Sequence, residues 1–570
     1  MADIIRVDLA TGAASAAPLA GDLAGLGGRG LTSALVAAEV NPTSDPMGPD
    51  NLLVVAAGIL AGTSVPNSGR ISVGAKSPLT GTIKEANAGG QTARKLANLG
   101  ARAIAMSGAA PELSLIEVDA EGTRVKPAPR LKGLGTYATI EALRADYGDD
   151  ATFVCCGPAG EKGAKAAAVI TTTPEFLPRT AARGGLGAVM GSKNVKAIVI
   201  NDKGAGRVKA VDPEALKAAA SGLSEGIKSH PVMGALETLG TAFLVNVANS
   251  IGSLTTNNFS AGQFDGTEAI SGETILGLME ERDNSKPLHR CMTGCIVNCS
   301  QVYTNKDGEY VTSGFEFETL GLLGSNCGIT DIDLLARLDR LCDDLGLDTM
   351  EVGAALGVAM EGGMLDSGDG PGAYSLVEGI ATDNAQSKLI ADGCVAVGAS
   401  LGVKRIPAVK GQGIAAWEPR ALKGTGVTYA TTPMGADHTC GNVLPGPNMP
   451  DYNPNVAEGQ AQMSQFVQAW FAAVDTLGFC LFPSLACLDI PTLPPLLVQA
   501  AGAMLGEQLP EDYLAALGTK VVMMEKDFNR RAGFTSADDR LPAFMTTEPL
   551  APSGNVFDVS EADLDSVFRG

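Results

Sequence analysis

The chain has 570 residues, with 42 Lys+Arg against 63 Asp+Glu (formal charge −21), 45% hydrophobic residues, 11 cysteines and 3 histidines. That apolar content excludes a disordered chain, and the acidity argues against nucleic acid or an anionic membrane as partner, because no general positive field offsets phosphate repulsion. With only His230, His289 and His438 available, a multi-histidine metal site is not expected, and the cysteines are the first functional lead.

Charges at Asp3 and Arg6 interrupt the apolar core a signal peptide needs. Uninterrupted apolar runs such as 52–60 and 166–170 fall far short of the roughly 18–20 residues that span a bilayer. The expectation is a soluble cytoplasmic protein. In a reducing compartment its cysteines are expected to serve metal or redox chemistry rather than disulfides.

In chain order, 5–9, 52–57, 71–74, 103–106, 113–118 and 197–200 read as short strands broken by Gly, Pro and Asn. Segments 62–70 and 85–90 read as loops flanking the strand at 71–74. Arg183-Gly184-Gly185 offers a phosphate cradle but not a dinucleotide fingerprint, since no strand is expected to lead into it. The texture changes near 206. Asp212-Pro213-Glu214 is an N-cap with Pro at the first helical position, and helical patterns follow at 332–345, 349–360, 461–475 and 496–505. The expected fold class is α+β. A β-rich domain at 1–205 precedes two mostly helical domains at 206–420 and 421–570.

Cys291, Cys295 and Cys299 lie within nine residues, and thiolates so placed converge on a soft metal. The same spacing fits a helix face of small core residues, or zinc held with His289. An iron–sulfur cluster needs a fourth, distant cysteine. A second motif occurs twice: Asp343-Asp344-Leu345-Gly346-Leu347-Asp348 and Asp475-Thr476-Leu477-Gly478-Phe479-Cys480. In the first copy Gly346 ends a helix, and Asp348 starts the next with Glu351 completing a capping box. Two copies point to paired sites for two similar ligands, with Cys480 placed to join a metal cluster.

Together with Gly27-Gly28-Arg29-Gly30, Asn67-Ser68-Gly69-Arg70, Lys76-Ser77-Pro78-Leu79-Thr80-Gly81, Ala86-Asn87-Ala88-Gly89-Gly90 and Gly435-Ala436-Asp437-His438-Thr439, these segments resemble the tungsten-containing aldehyde ferredoxin oxidoreductase family along essentially the whole chain. The resemblance implies a tungsten or molybdenum bis-pyranopterin, one [4Fe–4S] cluster and Mg2+ bridging the pterin phosphates. It implies Cys291, Cys295, Cys299 and Cys480 as cluster ligands. One pterin falls to Asp343, Leu347 and Asp348, and the other to Asp475, Phe479 and Cys480. Arg70 lies between cluster and pterin, and Asn87, Gly89, Ala182 and Arg183 lie at the phosphates. Glu318 and His438 are the implied catalytic pair for oxidation of a small aldehyde, with electrons passing to ferredoxin or a small iron–sulfur subunit in a homodimer or hetero-oligomer. Reduction of an aromatic acyl-CoA or a carboxylic acid is the alternative within the same relatives, and a non-catalytic iron–sulfur carrier the alternative outside them. The chain departs from the family in its Cys-x3-Cys-x3-Cys spacing, in lacking a Glu-x-x-His pair, and in Cys440, where some members have lysine.

Overall fold

The computed structural model describes residues 2–382, 384–446 and 452–569. Its first 201 residues form two six-stranded sheets. The first holds β1 (Asp3–Asp8), β2 (Ala13–Pro18), β3 (Leu53–Ala57), β4 (Ile71–Lys76), β5 (Ile83–Ala88) and β6 (Ala101–Ser107), in the order β2-β1-β6-β3-β4-β5. The second holds β7 (Ser114–Asp119), β8 (Gly122–Pro127), β9 (Ala151–Cys156), β10 (Val169–Thr172), β11 (Pro178–Ala181) and β12 (Val195–Asn201), in the order β11-β10-β9-β12-β7-β8. Successive side chains of a strand point to opposite faces, and β3 is buried on both. Leu53, Val55 and Ala57 enter a core shared with Val154, Val169 and Ile198 of the second sheet. Val54 and Ala56 belong to a different core on the other face, with Leu31 and Leu35 of the helix Gly28–Glu39.

Two strands depart from the sequence reading. Residues 83–88 form β5, paired to β4 with Asn87 opposite Ser72, rather than a loop. β11 leads into the Arg183-Gly184-Gly185 turn, from which the helix Leu186–Ser192 starts. Both are edge strands, and they meet where the two sheets adjoin.

The rest of the described chain is mostly helical, and it reaches the two sheets through the two Asp-x-Leu-Gly turns. The helix Ile332–Leu345 ends at Gly346 (φ +72), whose N–H donates to Asp343 O. The helix Gln460–Leu477 ends in the same way at Gly478 (φ +72), bonded to Asp475 O. These left-handed caps are open to glycine at little steric cost. Each turn then docks on one sheet domain. Ala168 N–H donates to Gly346 O and Asp348 N–H to Ala166 O, while Arg70 N–H donates to Gly478 O and Cys480 N–H to Asn67 O. A glycine receives each turn: a Cβ at Gly157 would lie 2.2 Å from Leu345 O, and one at Gly58 2.2 Å from Gly478 N.

The capping box at Asp348 does not close. Asp348 accepts from Met350 N–H, but Glu351 turns away to accept from Cys394 N–H (3.0 Å) and Gly413 N–H (2.7 Å). Counting uninterrupted apolar runs also missed one segment. Pro231–Ser250 is long and apolar enough to cross a membrane by length and composition, with a mean hydropathy of 1.3. In the fold it breaks at Gly240 (φ +62), and Leu236 and Val245 on either side enter separate cores.

Candidate active site

The junction of β5, β11 and the two helical turns encloses a cavity of about 980 Å³. Its wall carries three arginines among carboxylates. Arg70 donates to Asn87 through Nε to the side-chain oxygen and through Nη2 to the backbone oxygen, and Asn87 donates to Asp475 Oδ1 (3.1 Å). Arg183 donates to Asp348 Oδ2 (3.1 Å) and to the carbonyls of Ala436 and Gly413 (both 2.6 Å). Arg179, at the end of β11, donates to Ser300 Oγ. Burial opposes the charge of each guanidinium, yet Cys480 and Cys291 raise the pKa of Arg70, and Asp348 and Asp437 raise that of Arg183.

The cysteine segment is a series of tight turns, not a helix. Cys291, Cys299 and Cys480 line this cavity, and Cys295 lines a separate outer recess with Lys228 and Arg290. The four thiols sense one another. Cys291 and Cys295 are hydrogen-bonded, which raises the former pKa and lowers the latter, while burial pushes Cys299 and Cys480 up. Among the described residues no three His, Cys, Asp or Glu side chains close on a single ion. His289 is engaged with Ser300 and Glu175 (3.2 Å each), which removes it as a zinc ligand. Gly89 is needed here, since a Cβ would lie 2.8 Å from Cys291 Sγ.

Glu318 and His438 stand on the cavity wall. Glu318 sits in a single helical turn, Phe317–Thr319, which runs into a π-turn at Leu320–Gly324, the type of irregularity that re-aims side chains at functional sites. Its carboxylate accepts from Ala416 N–H (2.6 Å), and burial raises its pKa. His438 follows Asp437, which caps the short turn His438–Cys440. Burial alone would raise the Asp437 pKa, but Lys84, then Arg183 and His438, hold it well below the carboxylate range. Asp343 accepts from Thr180 (2.9 Å) and is pushed up to about 6 by burial.

Arg70, Asn87, Gly89, Ala182, Arg183, Asp343 and Leu347 also line the cavity, whereas Asp348, Asp475 and Phe479 do not. Asp348 is committed to Met350 and Arg183. The Phe479 N–H closes the helix end at Val474 O. Cys440 is buried away from the cavity lining, its thiol pushed up to about 12 by burial. Arg179 Nε, His438 Nδ1, Glu85 Oε1 and Asp475 Oδ2 are buried without a hydrogen-bond partner. Unsatisfied groups of this kind cost about 1–3 kcal/mol each, and gather where another polar molecule completes them.

The profile described as "Aldehyde ferredoxin oxidoreductase, N-terminal domain" matches residues 4–202, and that for domains 2 and 3 matches 218–568. The chain belongs to the aldehyde ferredoxin oxidoreductase family. The tungsten-containing aldehyde ferredoxin oxidoreductase of Pyrococcus furiosus is 34% identical over 97% of this chain and 92% of its own. That of Thermococcus kodakarensis is 32% identical over the same shares. Among solved structures, the active-site complex BamBC of benzoyl coenzyme A reductase with 1,5-dienoyl-CoA superposes with a TM-score of 0.80 at 19% identity, covering 95% of this chain and 90% of that one; that likeness is one of fold. Against this family frame, the sequence reading missed Arg179, Glu85, Lys84 and Asn67. Arg179 and Lys84 carry no local motif of their own, and only the folded chain brings them to the cavity or its Asp437 support.

Proposed function

We propose that this chain oxidises aldehydes to carboxylic acids with water, RCHO + H2O giving RCOOH, two protons and two electrons. The electrons leave singly for ferredoxin or a small iron–sulfur subunit. The observation that carries the reading is one cavity with a carboxylate and an imidazole suited to proton handling on its wall, lined also by Cys291, Cys299 and Cys480, with Cys295 in the adjoining recess. A tungsten or molybdenum bis-pyranopterin fits the unpaired donors and acceptors and the arginine wall, and when bound supplies the two-electron chemistry. Asp343 and Leu347 on one side and Cys480 on the other would meet its two halves, with Asp348, Asp475 and Phe479 behind them in the two turns. Asn87, Gly89, Ala182 and Arg183 would lie at its phosphates with Mg2+. Cys291, Cys295, Cys299 and Cys480 would hold a [4Fe–4S] cluster, a donor set suited to soft iron.

Glu318, ionised, takes a proton from water or the aldehyde hydrate, and His438 donates a hydrogen bond to the aldehyde oxygen. Asp437, fixed by Lys84, keeps the His438 loop in place. The outer part of the cavity is apolar, with Leu244, Val247, Met463, Phe466 and Phe482 on its walls, and its arginines all lie at the inner end. That wall accepts an alkyl or aryl group. Among the described residues, the apolar wall presents no lysine or arginine to the phosphates of an acyl-CoA, which favours the aldehyde reading. Lys228 and Arg290, beside Cys295, give an acidic acceptor a local positive contact on a chain of net charge −21.

The test is aldehyde-dependent reduction of a viologen dye by protein purified from its native host. We expect Glu318→Gln and His438→Ala each to lower kcat at least a hundredfold, the usual scale of an acid–base contribution, with iron and tungsten contents unchanged. Full activity in both variants refutes the roles.

A further inference from the structure

Asn67 lies between the two cysteine-bearing segments and bonds to both. Its backbone is left-handed (φ +56), a conformation that asparagine tolerates better than most residues, and it is 1% exposed. Its N–H donates to Gly294 O (3.1 Å), and its carbonyl accepts from Cys480 N–H (2.9 Å). Its side-chain oxygen accepts from Ile296 N–H (3.1 Å), and its Nδ2–H donates to Cys295 Sγ (3.2 Å). One residue thus fixes the loop around Cys295 to the turn that ends at Cys480. The first turn provides an internal comparison: Asp348 N–H donates to Ala166 O, as Cys480 N–H does to Asn67 O. Ala166 has no side-chain donor. The amide is present on the half of the molecule that carries the cysteines and absent from the half that does not.

We propose that Asn67 is a positioning residue that sets the reduction potential of the cluster through the hydrogen bond from its amide to Cys295. Cys295 lines the outer recess, away from the main cavity, so the donor acts on the sulfur nearest the electron exit. A donor to a ligating sulfur withdraws electron density, which favours the reduced, more negative cluster and raises its potential. A second donor, the N–H of Asn298 at 3.4 Å, is longer and belongs to the backbone, so the Asn67 amide is the part that substitution can remove.

The inference rests on the cluster assignment above, and the experiment separates the two. Iron content of the unmodified holoenzyme tests the assignment, and potentiometric EPR of Asn67→Asp tests Asn67. That variant is nearly isosteric, tolerates the left-handed backbone and keeps an acceptor for Ile296, but it exchanges the donor for a carboxylate charge. Asn67→Gly, which removes the donor without adding charge, is therefore titrated beside it and must shift the potential in the same direction. With iron retained, the expected result is at least a tenfold shift of the one-electron equilibrium toward the oxidised cluster, about 59 mV lower in potential. Iron retained and a one-electron equilibrium within twofold of the parent overturns the proposal. Should Asn67→Asp lose iron, the contact is read in the unmodified holoenzyme carrying asparagine labelled with 15N in its side-chain amide. Hyperfine coupling of that nitrogen to the reduced cluster supports the proposal, and no coupling overturns it.

Discussion

Glu318 has one backbone donor, Ala416, and apolar neighbours in the π-turn that follows it. Its ionised form is therefore harder to hold than in water, and burial raises its pKa. A base must be deprotonated to work, so raising the pKa moves the loss of activity on acidification to higher pH. We predict that the acid limb of kcat/KM for aldehyde oxidation falls above the ordinary glutamate value of about 4.3. Glu318→Asp, which keeps a shorter carboxylate, should retain a limb at lower rate, whereas Glu318→Gln should show no such limb in its residual activity. At this scale the sequence was partly legible. The family resemblance pointed to Glu318 and His438 because it is carried by local motifs, and both stand on the cavity wall. Glu85 and Arg179 were not, because their importance comes from being buried next to groups far away in the chain.

At the scale of elements, a buried ion pair joins the two ends of the chain. Arg29, on the helix Gly28–Glu39, makes two bonds to Glu525 of the helix Tyr513–Arg531 (3.0 and 2.7 Å), and Ser33 adds a third (2.7 Å). Both members are at most 1% exposed. Removing one partner strands the other charge in the interior, so Arg29→Met or Glu525→Leu should destabilise by about 3–5 kcal/mol. The double variant should recover much of that loss, which denaturant unfolding of the four proteins would measure. If the single and double variants are equally unstable, the pair is not the source of the effect. Helices of this kind were readable in advance where their ends carried local signals, as Gly346 and Gly478 do. The strands β5 and β11 were not. Asn87 and Pro178 read as turn residues, and they are tolerated because both strands are sheet edges. The failed capping box has a similar cause: Glu351 has two better donors, Cys394 and Gly413, that no local reading reveals.

The whole molecule has an approximate internal duplication. Two sheet domains each receive one Asp-x-Leu-Gly turn, with the same left-handed glycine and matching backbone bonds. The repeated motif in the sequence is the trace of that arrangement, and a cofactor with two similar halves suits it. The copies differ in Cys480 against Asp348 and in Asn67 against Ala166, the positions to which the proposals above assign the cluster and its hydrogen bond. The scarcity of histidine has the same meaning at this scale. In the proposed reading, a metal carried on its own organic ligand and a cluster carried on thiolates would leave His438 free for proton chemistry. The most direct test is anaerobic addition of an aldehyde to the oxidised holoenzyme, followed by EPR of the cluster. Reduction of the cluster with formation of the matching carboxylate is the predicted result. A protein loaded with tungsten or molybdenum and about four irons whose cluster stays oxidised with every aldehyde offered would contradict the account.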